Sequence, residues 1–369
     1  MRNGWLGLGL GLLLLLPMLG SLPAAAFSTY PALSEAAGLS QTLTIVGTTD
    51  EPLFRQFITG FQQAHPQVTV LYAETDTRPL YEGIVASSLD PKPDVIVSSA
   101  ADLQMKLAND GYALAYHSPY LDALPAWARW RDEVFGFTFE PAVIVYNPAL
   151  ISPQEVPRTH LGLAELLETQ TARFTAKVAT YDIAESGVGY LLAANDQFIS
   201  SNFWRLATAF GRAQVRLSGS SPRILDAVES GQLALAYNVL GSYAFARRAA
   251  GDNIAIVVPD DYVLVLTRSL IIPRSSGNPE LAKAFVDFIL SPAGQAIAAG
   301  STALGAIAGS AEGGFTSETI SASGRGALQP IAIGPSLLVS LDQQRRDRFT
   351  ATWLEIVAPG PGNHRLEGE

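Results

Sequence analysis

LTIVGTTDEPLFRQFITGFQQAH, residues 43–65, joins two periodicities in one stretch. An apolar, β-rich run ends in small hydroxyl residues and acids, and Phe54, Phe57, Ile58 and Phe61 then recur at helical spacing. Strand, loop and helix are expected in that order. QVTVLYAETDT (67–77) repeats the strand and loop, with a helix over 79–88, and PDVIVSSAADLQMKLANDGYA (93–113) repeats the unit again. Strand–helix units in succession predict an α/β fold with a mostly parallel sheet and helices on both faces.

The pattern changes at FGFTFEPAVIVYNPALI (135–151), strand-like for longer than one buried strand requires. A segment of this kind can leave one lobe and enter another. A second alternating set follows: FTAKVATYDI (174–183) and LALAYNVLG (233–241) as strands, GVGYLLAANDQF and RILDAVESG as helices. NIAIVVPDDYVLVLTRSLIIP (253–273) then offers two strands and a route back. Two further helices are expected at 278–300 and 341–357, with the Gly, Ser and Ala-rich stretch 305–329 as loop. The resulting division is lobe 1 from 41–139 and 262–357, lobe 2 from 140–261, and a disordered tail from 358–369. Hinge angles are expected to change near 139–143 and 257–263.

Composition bounds what such a chain does. Arg2, the uninterrupted Gly and Leu run 6–16 and the small residues Ala24, Ala25 and Ala26 read as a signal peptide, 1–26, cut before Phe27. Pro17 and Pro23 break its apolar core below the roughly 20 residues of a membrane span. The location expected is the periplasm. With no cysteine, disulfides and a lipidated amino terminus are excluded. Losing Arg2 makes the whole-chain charge of −10 one unit more negative, so nucleic acid is not an expected partner. The roughly 340 remaining residues exceed one ordinary core, which favours two lobes.

Candidate ligand chemistry gathers at the strand ends. Thr48, Thr49 and Asp50, then Thr75, Asp76 and Thr77, then Ser98 and Ser99, then Glu185, Ser186 and Gly187 each precede a helix. Hydroxyls and free N–H groups at helix starts suit phosphate or carboxylate oxygens. Taken singly, each loop reads better as an ordinary N-cap; it is four of them pointing to one cleft that favours a ligand. In ESGVGY, Gly187 and Gly189 let a backbone approach a ligand, or merely pack closely on the strand. Tyr237 reads as a strand-end hydroxyl for an organic ligand and Tyr243 as a packing residue, with a metal pair as the alternative. Arg247 and Arg248 read as a solvated face or an anion contact.

Reaction chemistry is sparse: GxSxG and HExxH are absent. The four histidines, at 65, 117, 160 and 364, have no partner spacing, and with no cysteine a zinc site is not expected. Asp260, Asp261 and Glu140 could pair as acid and base, or be carboxylates at a turn and a crossover. Glu140 is counted among the candidate binding residues.

LTIVGTTDE, PDVIVSSA, FEPAVIVYNPALI, ESGVGYLLA and above all NPELAKAFVDFILSPAGQAIAAG resemble the extracytoplasmic solute-binding proteins of ABC importers. More narrowly the chain resembles the type 2 branch holding ferric-iron binders and their relatives for phosphorylated sugars and phosphoglycerate, over 42–357. The resemblance implies a two-lobed type 2 periplasmic binding fold, its lobes joined by a two-strand hinge. It implies a monomeric receptor, not an enzyme and without a cofactor, that closes on a small anionic solute. The receptor would deliver that solute to an inner-membrane permease, or in some relatives to a sensor kinase. The branch's iron binders use adjacent tyrosines, whereas Tyr237 and Tyr243 stand apart. Ferric iron held by Tyr237 and Tyr243 is the alternative ligand; the turn at Ser186 and Gly187 matches the anion-holding pattern.

Overall fold

The computed structural model describes residues 27–34, 41–300, 302–360 and 364–366, so the expected leader, 1–26, lies outside the described residues. A short edge strand, β1 (Phe27–Tyr30), precedes the predicted units. β2 (Gln41–Gly47) leads to α1 (Glu51–Ala64), β3 (Val68–Glu74) to α2 (Thr77–Val85), and β4 (Val95–Ser98) to α3 (Ala101–Asn109). In α1, Phe54, Phe57, Ile58 and Phe61 form one buried face, and Pro52 sits in the first turn, where a missing N–H costs no helical bond. Two short strands follow, β5 (Arg129–Trp130) and β6 (Val134–Gly136).

The long apolar run then becomes β7 (Glu140–Tyr146). After it come α4 (His160–Thr169), α5 (Thr171–Phe174), β8 (Val178–Tyr181), α6 (Gly187–Ile199), α7 (Phe203–Arg212), β9 (Arg216–Ser218) and α8 (Ser221–Glu229). β10 (Leu235–Leu240), α9 (Gly241–Ala250), β11 (Ala255–Val257) and β12 (Tyr262–Leu266) complete this part. The chain continues through β13 (Ser269–Ile271), α10 (Pro279–Leu290), α11 (Pro292–Ala299), α12 (Ser317–Ala322), β14 (Ala327–Pro330), α13 (Ser336–Ser340) and α14 (Gln343–Val357).

These strands make two sheets, in the orders β1-β3-β2-β4-β13-β6-β5 and β14-β12-β7-β10-β8-β9, with β11 on β7. The sheets are mixed. β2 runs parallel to β3 and β4, and β8 to β9 and β10, where strand–helix units repeat. The crossing strands pair antiparallel, β13 with β4 and β6, and β7 with β10 and β12, because each carries the chain back the way another came.

The crossings lie at 137–139, between β6 and β7, and at 267–268, between β12 and β13. The second is displaced from the stretch where hinge motion was expected. They run side by side: the Phe137 N–H donates to the Arg268 carbonyl at 3.0 Å, and the Arg268 N–H to Thr138 Oγ1 at 2.7 Å.

The expected boundaries are corrected at three places. β12 and β14 pair in the second sheet, Tyr262 against Ala327 and Val263 against Leu328, so part of the supposed 305–329 loop is a helix and a strand. α14 packs on α7, burying Trp353 and Val357 with Phe203, Leu206 and Phe210, so the carboxyl-terminal helix belongs to the second lobe. In the supposed tail, the Leu217 N–H donates to the His364 carbonyl at 2.7 Å and the Leu366 N–H to the Leu217 carbonyl at 3.0 Å. Leu366 is 4% exposed.

Where the lobes meet, α3 packs against α6 and α13. Asp102, in the first turn of α3, is 1% exposed; its Oδ1 accepts from the Leu103 N–H at 2.9 Å and its Oδ2 has no partner. Burial pushes its carboxyl up to about 6, against the pull of its backbone hydrogen bond and of Arg346. The folded state therefore holds this proton more tightly than the unfolded chain. The benefit is full below about pH 4 and is lost as pH rises through about 6. Asp102→Asn is expected to stabilise the protein by about 3 kcal/mol at pH 8, the difference from wild type shrinking towards pH 4, in urea melts at both pH values.

Candidate functional site

Loops at the carboxyl ends of parallel strands leave a crevice, because neighbouring helices diverge there. Here the loops after β2, β3 and β4 face those after β8 and β9 across a cleft of about 730 Å³. Thr48, Asp50, Glu74, Thr75, Asp76, Thr77 and Ser99 line it from the first lobe. Glu185, Ser186, Val188, Gly219, Ser220, Ser221, Pro222, Arg223, Leu240 and Tyr243 line it from the second. Arg268 closes the floor and Arg365 reaches in from the docked tail.

At the floor, Arg268 and Glu140 form an ion pair with both side chains 0% exposed. Arg268 Nε donates to Glu140 Oε1 at 2.9 Å and Nη2 to Oε2 at 3.3 Å. Its Nη1 donates to Thr49 Oγ1 at 2.9 Å and to the Thr48 carbonyl at 3.3 Å. Thr138 Oγ1 accepts from the Arg268 backbone N–H at 2.7 Å and donates to Glu140 Oε1 at 2.8 Å; Ser242 Oγ donates to Glu140 Oε2. Burial works against the guanidinium charge, but the neighbouring Glu140 outweighs it and raises the Arg268 pKa.

The walls touch above this floor. Tyr243 Oη donates to Asp50 Oδ1 at 2.7 Å, the Gly187 N–H to Thr77 Oγ1 at 3.0 Å, and Arg78 Nη1 to the Ala184 carbonyl at 2.6 Å. Burial raises the Tyr243 pKa well above the usual tyrosine value, so its hydroxyl stays a donor.

Thr48, Asp50, Thr77, Ser99, Glu185 and Ser186 thus share one cavity. Other candidates fall elsewhere. Thr49 is wholly buried behind the wall, holding Arg268. Ser98 stands in β4 opposite Ser269, its hydroxyl capping the Ala100 N–H at 3.1 Å. Glu140 is spent on Arg268. Gly187 serves a contact between lobes: a Cβ there would stand 2.6 Å from Thr77 Oγ1. Gly189 packs on its own strand, where a Cβ would stand 2.4 Å from that of Tyr181.

The two tyrosines exchange roles. Tyr237 points away from the cleft and donates to Asp196 Oδ2 at 2.5 Å, which Tyr262 and Asn238 also reach, at Oδ1 and Oδ2 respectively. Burial and the Asp196 charge raise its pKa well above the usual value, which disfavours the phenolate a ferric ion needs. Tyr243, read as packing, lines the cleft. The two therefore form no ligand pair. Asp260 and Asp261 are turn carboxylates, bonded to Arg158 Nε at 2.7 Å and His160 Nδ1 at 2.8 Å, far in role from any acid–base pair with Glu140. Arg247 is held by Asp226, Glu229 and Asp252.

Sequence reasoning passed over Glu74, Ser220, Ser221, Arg223, Arg268 and Arg365. Three of these left a signal. Ser220 and Ser221 before Pro222 are a helix start, and Arg268 is a lone charge in an apolar run, which demands a buried partner.

Residues 43–301 match the family model of bacterial extracellular solute-binding proteins, and the chain belongs to that family. It superposes on the substrate-binding protein of an ABC transporter from Agrobacterium tumefaciens with TM-score 0.85 and 36% identity, over 91% of this chain and 100% of that one. AfuA from Actinobacillus pleuropneumoniae, solved with fructose-6-phosphate bound, gives TM-score 0.71 at 16% identity over 87% of this chain and 100% of that one. The ferric binding protein from Campylobacter jejuni gives 0.66 at 16% identity over 85% and 98%. At such identities these two share the fold alone. No curated protein matches the chain. Proteins of this family bind small solutes outside the cytoplasm and work with ABC permeases.

Arg268→Leu strands Glu140 in the interior and is expected to cost about 3–5 kcal/mol. The double variant with Glu140→Leu should recover part of that loss in the same urea melts.

Proposed function

We propose that the protein is a periplasmic receptor that captures a small anionic solute in this cleft and delivers it to an ABC permease. The observation that carries the reading is the convergence of two helix starts on one cavity beside Arg223 and Arg365. Ser186 caps α6 by accepting from the Gly189 N–H at 3.1 Å, and Ser220 caps α8 by accepting from the Arg223 N–H at 3.4 Å. A hydroxyl that accepts in this way keeps its own hydrogen to donate outward, so capping and ligand binding coexist. The positive ends of both helix dipoles favour negative charge at the same place.

Closure follows from ligand contacts made on both walls at once, the lobes rotating about the crossings at 137–139 and 267–268. The contacts between Asp50 and Tyr243 and between Thr77 and Gly187 are then bonds of the closed form.

A ligand that binds only the folded protein raises its stability by on the order of 3 kcal/mol at a hundredfold excess over Kd. A thermal-shift screen of sugar phosphates, phosphoglycerates and di- and tricarboxylates is expected to find such a solute, and Arg223→Ala to weaken it at least tenfold, a hydrogen bond to a charged group being worth about 1.5–3 kcal/mol. A flat screen would remove the anion from this reading.

A further inference from the structure

A second cavity, about 630 Å³, lies between α6, α7, α13 and α14 of the second lobe and shares no lining residue with the cleft. We propose that it binds a flat aromatic anion, a ring system carrying a carboxylate or a similar acidic group. The site is separate from the cleft and does not depend on what the cleft holds.

Its walls are aromatic. Trp204 meets Phe349 edge to face at 5.9 Å, and Tyr190 meets the same ring edge to face at 5.9 Å. Phe198 also lines the cavity while 77% exposed, and Val339 while 44% exposed. Single apolar side chains on a surface are ordinary, but two of them bordering one ring-walled hollow make a patch that excludes water poorly and gains from being covered.

The charge at this hollow has one sign. Arg345 and Arg348 line it, three residues apart on α14, and no acid does. Among the described residues neither guanidinium has an ion pair or a hydrogen bond. Arg346, between them, lies over the Tyr190 ring at 4.9 Å. Of the acids nearby in the chain, Asp342 caps the helix by accepting from the Arg345 N–H at 3.1 Å, and Asp347 is not among the lining residues. All three arginines fall in the first two turns of α14. The helix dipole disfavours cations there, and like charges at that spacing repel one another. An anion in the hollow relieves both conflicts.

Rings and guanidinium groups together select the ligand. A bare inorganic anion would answer the charge and leave the rings against water. A neutral ring would do the reverse. An alkyl carboxylate would fill space without continuing the edge-to-face packing of Trp204, Phe349 and Tyr190, which favours a further ring. A flat aromatic anion meets both needs, since a guanidinium fork matches a carboxylate and the volume lies in the range of small-molecule sites.

Isothermal titration of the mature protein with 2-naphthoate, its uncharged amide 2-naphthamide, and octanoate tests this. 2-Naphthoate is expected to bind one to one and about tenfold or more tighter than either comparison. Arg345→Gln/Arg348→Gln removes like charges from a helix start, so it is expected to melt no lower than wild type and to bring 2-naphthoate down to the affinity of the amide. Phe198→Ala, which trims an exposed side chain, is expected to weaken 2-naphthoate about fivefold. Binding is expected to persist in Arg223→Ala, whose altered side chain lines the cleft. No binding of 2-naphthoate, or binding that neither the arginine nor the Phe198 variant weakens, would overturn the site. The amide or octanoate binding as tightly would overturn the aromatic anion as its ligand. Loss of 2-naphthoate with Arg223→Ala alone would place that anion in the cleft, overturning this inference and leaving the receptor reading intact.

Discussion

The pair formed by Arg268 and Glu140 is the constraint on which the arrangement depends. Removing two charges from water is costly, and their attraction repays it only where every remaining donor and acceptor is met. Here the guanidinium reaches Glu140, Thr49 and the Thr48 carbonyl, while Thr138 and Ser242 complete the carboxylate. These partners come from the first loop of one lobe, both crossings and the start of α9 in the other. A network so satisfied fixes the relative placement of four segments that are distant in sequence. The floor of the cleft is therefore held from several sides, and the proposed motion between lobes would pivot around it.

Above that floor, polarity comes from helix starts and strand ends doing local work. Ser186 and Ser220 close the first turns of α6 and α8, and Glu74 accepts from the first turn of α1. Each group satisfies its own element and still turns a polar atom to the cavity. The cleft thus needs little dedicated machinery: the residues that make the helices begin are those that line it.

Much of this was legible in the sequence, for reasons that also mark the limit. Repeating strand–helix periodicity identified the parallel cores, because burial on one helix face leaves a regular trace at Phe54, Phe57, Ile58 and Phe61. The carboxyl-terminal part was misassigned because strand pairing over long separations, as between β12 and β14, leaves no such trace. The tyrosines show a finer limit. A register shift between Ala236 and Val239, with Asn238 at φ 60°, breaks the alternation of faces along β10. Tyr237 lies before that break and shares the core of Leu235; it was misread because β10 does not end there but runs on to Leu240. Arg268 announced itself as a charge among apolar residues, but its partner, far away in the chain, did not.

The stitching of residues 364–366 to β9 has a practical corollary for anyone handling the molecule. Leu366 is seated in the second lobe while its neighbour Arg365 lies beside Glu185 in the wall of the cleft, the doorway of the proposed solute site. Whatever is fused after Leu366 starts within reach of that doorway. A fluorophore placed there becomes a natural reporter of occupancy, and a bulky affinity handle becomes an obstruction.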